Sequence, residues 1–66
     1  MRAAIRKNQK AGNYIDARTN VITTGEHWIV ALSNGQKIKL PASMDKNQVI
    51  AYVESRFGWI EELTVD

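Results

Sequence analysis

The stretch HWIVALSNGQKIKL, residues 27–40, decides the fold, because two apolar runs flank Asn34-Gly35. Asn-Gly in that setting signals a β-hairpin, since a type I′ turn needs positive φ at both central positions. A two-residue turn there pairs Leu32 with Lys37, Ala31 with Ile38, Val30 with Lys39 and Ile29 with Leu40. Directly paired residues share a face. This register sends Ile29, Ala31, Ile38 and Leu40 to the core face. It sends Trp28, Val30 and Leu32, with Lys37 and Lys39, to the other face. That second face, half apolar and half cationic, is the candidate partner-binding surface.

Downstream, Pro41 ends the strand and residues 43–57 read as a helix. Ser43 suits the N-cap, and Asp45 lies in the first turn, where the helix dipole favours a negative charge. Val49, Ile50, Val53 and Phe57 form an apolar stripe able to cover the hairpin's core face. Arg56 falls in the last turn and Gly58 at the C′ position. Residues 59–65 read as a final strand with broken alternation, in which Trp59 closes the end of the core. Upstream, Thr19-Asn20 suits a turn into the β-branched run Val21-Ile22-Thr23-Thr24, and Thr24-Gly25-Glu26 is a second turn signal. The pattern predicts an α+β domain over residues 13–66: a small antiparallel sheet of hairpins with one helix packed on one face and a C-terminal strand.

The leader MRAAIRKNQKAG, residues 1–12, has four basic and no acidic side chains, with Ile5 its one large aliphatic besides Met1. So little apolar surface predicts a flexible basic arm. Charge is asymmetric along the whole chain. Residues 1–39 hold seven basic side chains against two acidic ones, a net of +5, and residues 40–66 hold two against five, a net of −3. Arg2, Arg6, Lys7 and Lys10 are therefore candidate contacts to phosphate or to an acidic surface.

Composition excludes much chemistry. The chain has 66 residues, no cysteine and one histidine, so it offers no disulfide, no thiolate nucleophile and no multi-histidine metal centre. No serine or threonine sits in a nucleophile motif, and Asn34-Gly35-Gln36-Lys37 lacks the pattern and following helix of a phosphate loop. His27, near a strand end on the parity of Ile29 and Ala31, reads as structural. Glu61 and Glu62 are adjacent, so on a strand they point to opposite faces and make no acid/base pair. The expectation is a protein that is not an enzyme, with no cofactor and no metal. With no apolar run near membrane-spanning length and no signal segment, a cytoplasmic location is expected.

In the order of a Trp-bearing hairpin, a proline, a helix and a last strand, residues 27–65 resemble small phage-encoded inhibitors of bacterial RNA polymerase. That resemblance is one of layout, and it implies a binder of a large host protein. The leading expectation is thus a regulatory or inhibitory module that binds a protein through Trp28, Val30, Leu32, Lys37 and Lys39. The alternatives are nucleic-acid binding through the basic arm and the same face, and homo-oligomerisation that buries it.

Overall fold

In the computed structural model, which describes residues 1–66, the hairpin joins β2 (Val21–Leu32) to β3 (Lys37–Pro41). Its turn differs from the expected one. Asn20 is the single non-glycine residue with positive φ, so Asn34 lacks the backbone that a type I′ turn requires. Only Gly35 enters the positive region, at φ 93°. The Leu32 N–H donates to the Gln36 carbonyl at 2.8 Å, and the Gly35 N–H to the Leu32 carbonyl at 3.0 Å. The loop therefore holds three residues, Ser33-Asn34-Gly35, with glycine supplying the left-handed position. The Asn34 carboxamide oxygen reinforces it by accepting from the Gln36 N–H at 2.9 Å.

One additional loop residue shifts the pairing by one and turns β2 over. The register is Ala31 with Lys37, Val30 with Ile38, Ile29 with Lys39 and Trp28 with Leu40. Trp28, Val30 and Leu32, expected on a partner-binding face, are buried in the core with Leu40. Ile29 and Ala31, expected in the core, take the opposite face beside Lys37 and Lys39.

The leader is the second correction. Residues 2–12 are not a flexible arm but the greater part of β1 (Arg2–Asp16). β1 pairs antiparallel with β2, placing Ala3 opposite Leu32 and Ile5 opposite Val30. On its other side β4 (Glu62–Val65) runs parallel to it, with Arg2 opposite Glu62 and Ile5 opposite Val65. The segment holds little apolar surface, but strand neighbours on both sides bury what it has, and Ile5 is only 2% exposed. Burying such a side chain is worth roughly 1.5–3 kcal/mol. The sheet is consequently mixed, not purely antiparallel.

Thr24-Gly25-Glu26 makes no turn, because β2 runs straight through it. Gly25 lies opposite Gly12, at the end of a bulge in β1 that begins after Asn8. At φ 140° Gly25 has a backbone that other residues rarely adopt. Bulges bend and twist a hairpin. Here the far end of β1 reaches β3, where Asp16 bridges Lys39 and the Ala17 N–H donates to the Lys39 carbonyl at 2.9 Å. β1, β2 and β3 thereby pair with one another, and β3's outer edge is bridged at Lys39.

The helix, α1 (Lys46–Phe57), starts three residues later than expected. Asp45, not Ser43, is its N-cap. The Asp45 carboxylate accepts from the Gln48 N–H at 2.8 Å, while the Gln48 side chain accepts from the Asp45 N–H at 3.0 Å. This reciprocal pair satisfies two donors, whereas Ser43 would have Lys46 at the N3 position, which has no acceptor to complete the pair. Val49 and Val53 of the expected stripe are fully buried, and Ile50 and Phe57 pack beside them. The Trp28 indole N–H donates to the Met44 carbonyl at 2.8 Å, joining the helix entrance to the sheet. Trp59, expected to close the core, is instead 75% exposed. No helix is long and apolar enough to cross a membrane.

Asp16 is buried where the strands converge. Its carboxylate accepts from the Arg18 backbone N–H at 2.9 Å and from the guanidinium at 3.3 and 3.1 Å. The bond from the Arg18 side chain holds the carboxyl below its usual pKa, against the opposing pull of burial. A depressed carboxyl pKa stabilises the fold above the unfolded value of roughly 3.9, and that contribution is lost as pH falls through the folded pKa. Arg18→Gln is therefore expected to lower thermal stability at neutral pH and to converge on the wild type in strong acid. An equal deficit at both pH values would show that the ion pair contributes nothing.

Candidate binding face

Strand alternation sorts the charges that the register brings together. Since Ala3, Ile5, Val30, Leu32, Leu40 and Leu63 turn toward α1, their neighbours turn away. Across the outer face, Lys37, Ala31, Ala4 and Thr64 form one row on four strands. Lys39, Ile29 and Arg6 form the next, and Arg2 and Glu62 lie on the other side of the first. Arg2 and Arg6 from the leader thus meet Lys37 and Lys39 from the hairpin on a single surface. Lys39 is half-buried and the other three are exposed.

The centre of this face is low because its side chains are small. A concavity of about 310 Å³ runs between Arg2, Ser33 and Glu62. A second, of about 150 Å³, adjoins it between Arg6, Ile29 and Asp66. Ala4, Ala31 and Thr64 line both. The result is a shallow groove with a floor of small side chains, flanked in each half by one cation and one carboxylate, Arg2 with Glu62 and Arg6 with Asp66.

None of the four cations is ion-paired. The one salt bridge in the molecule joins Arg18 to Asp16, far along β1. Four cations against Glu62 and Asp66 leave this face at +2, the net charge of the whole chain. The five remaining cations and five remaining carboxylates cancel elsewhere.

Other expected contacts fall outside the face. Lys7 points to the core side, its ammonium 5.5 Å from the Trp28 ring centroid, a cation–π contact at the rim of the core. Lys10 is exposed in the bulge, where its N–H donates to the Asn8 side chain at 3.1 Å. His27 is buried, stacked on Tyr14 with ring centroids 4.4 Å apart, and its Nδ1 lies 3.0 Å from the Gly25 carbonyl. These contacts occupy it structurally. No three histidine, aspartate or glutamate side chains come together as metal ligands.

The floor residues Ala4, Ile29, Ala31 and Thr64 escaped the sequence reading. The signal for Ala4 was the period-two order Arg2-Ala3-Ala4-Ile5-Arg6, in which Ala3 and Ile5 alternate with polar or small neighbours as in a strand. In comparisons with protein-family models, curated proteins and solved structures, nothing matches this chain.

Proposed function

We propose that the protein is a non-enzymatic binding module whose outer sheet face takes the phosphodiester backbone of a nucleic acid. One observation carries this reading: Arg2, Arg6, Lys37 and Lys39 converge on one face, free of intramolecular ion pairs, and with Glu62 and Asp66 counted that face still carries +2, the net charge of the chain. Lys37 and Lys39, two residues apart on one strand, lie about 7 Å from each other at the backbone. That spacing resembles the distance between successive phosphates of an extended strand. The face exposes no aromatic ring for base stacking, since His27 is buried against Tyr14, so binding is directed at the backbone and is blind to sequence.

The apolar floor supports a second reading, an acidic protein whose projecting aliphatic side chain seats on Ala4, Ala31 and Ile29. The hot-spot role expected of Trp28 does not pass to this reading, because Trp28 is in the core.

Salt separates the two. If all four cations neutralise phosphates, log affinity falls against log salt with a slope of about −3 to −4. Removing one cation by Lys37→Gln or Arg6→Gln should reduce that slope by roughly 0.7–0.9. Lys46→Gln, on the helix side, should leave it unchanged. Absence of binding to single- and double-stranded DNA and RNA at low salt, with the fold intact, would reject the nucleic-acid reading and leave the acidic protein.

A further inference from the structure

β1 is longer than the strand beside it. β4 covers only Arg2–Ile5, so from Arg6 to Gly12 β1 has β2 on one side and no strand on the other. The open edge is therefore stepped, with β4 standing one strand spacing, about 4.8 Å, beyond the recess that follows it. The two levels carry opposite charge. Glu61, Glu62 and Asp66 are exposed on and around β4, and residues 57–66 contain no cation. Arg6, Lys7 and Lys10 line the recess, and residues 2–15 contain no acid. Trp59 and Val65, before and at the end of β4, are 75% and 45% exposed.

We infer that this edge is a self-association surface, in which β4 of each copy seats in the recess of a second copy. The step determines the symmetry. Because β4 runs parallel to β1, a twofold axis normal to the sheet sets each β4 antiparallel to the other copy's β1. It also places each protruding strand at the level of the other's recess, so both contacts form at once. Acidic residues then meet basic ones on both sides of the axis. A strand-exchange partner of unrelated sequence would need this same step and this same charge order, which a second copy has by construction. The bulge between Asn8 and Gly12 restricts regular pairing to a few residues, so charge contributes a large share and the dimer is salt-sensitive. The interface uses the sheet edge and leaves the outer faces of both copies open on the same side.

Sedimentation of the full chain at low salt, from micromolar to millimolar concentration, tests this. The wild type should pass from 7.5 kDa to twice that mass. Glu61→Lys/Glu62→Lys and Lys10→Glu should each remain monomeric where the wild type is dimeric, and an equimolar mixture of the two should recover a dimer. Should the double variant misfold, Lys10→Glu in its exposed bulge tests the same contact alone. A wild type that stays monomeric throughout overturns the inference. So does a dimer that neither variant weakens, which would move the contact to another apolar patch such as Ile15 and Ile22.

Discussion

Trp28→Ala should unfold the protein, whereas Trp59→Ala should leave it close to wild-type stability. Trp28 is 9% exposed, contacts the central core, donates its indole N–H to the Met44 carbonyl and lies beneath Lys7. Emptying a buried aromatic site costs roughly 3–5 kcal/mol, and the Met44 carbonyl loses its donor as well. At about 0.05–0.15 kcal/mol per residue, a chain of this length has only about 3–10 kcal/mol to lose. Trp59 is 75% exposed, and its structural contact is made by the backbone, whose carbonyl accepts from the Met1 ammonium at 2.9 Å. Thermal melts of both variants decide the matter. A folded Trp28→Ala beside an unfolded Trp59→Ala would restore the two-residue turn and the partner-binding face it implies.

Deleting residues 1–10 should abolish folding altogether. A dispensable arm would leave the melt unchanged and remove only ligand affinity. Here the deletion removes the strand between β2 and β4, together with Ala3 and Ile5 from the core. It strands β4, whose only partner is β1, and exposes the β2 edge over Trp28–Leu32. A single core substitution, Ile5→Asp, should have nearly the same effect, since it buries a carboxylate within the apolar cluster of Ala3, Val30 and Leu32. Circular dichroism and amide dispersion on the truncated chain read the result directly. A cooperative melt near the wild-type temperature would contradict the strand assignment of the leader.

Much of this protein was legible because its signals are local. Asn34-Gly35 marks a hairpin, the stripe Val49, Val53 and Phe57 marks a helix, and Gly58 marks its end. Such features depend on neighbours within a few residues. The strand β3 was also read correctly by face, with Ile38 and Leu40 inward and Lys37 and Lys39 outward. Its partner β2 was inverted by one loop residue. Both candidate turns use the same glycine, and they differ in whether Ser33 joins the loop and in the φ of Asn34, neither of which the flanking sequence determines. Face assignment has a period of two, so the smallest error in loop length exchanges core for surface along the entire strand.

The site was half legible for the same reason. Arg2, Arg6, Lys37 and Lys39 stood out by charge, and all four belong to the outer face. That they belong to one face follows only from successive strand pairings, as Arg6 reaches the distant Lys39 through Ile29. Composition and local propensity established the α+β class, the helix and the hairpin, since each rests on short-range backbone preferences. The role of the leader was decided by tertiary structure. A segment with one large aliphatic side chain cannot show from its own residues that β2 and β4 will bury it from both sides, because that burial energy lies in the partners.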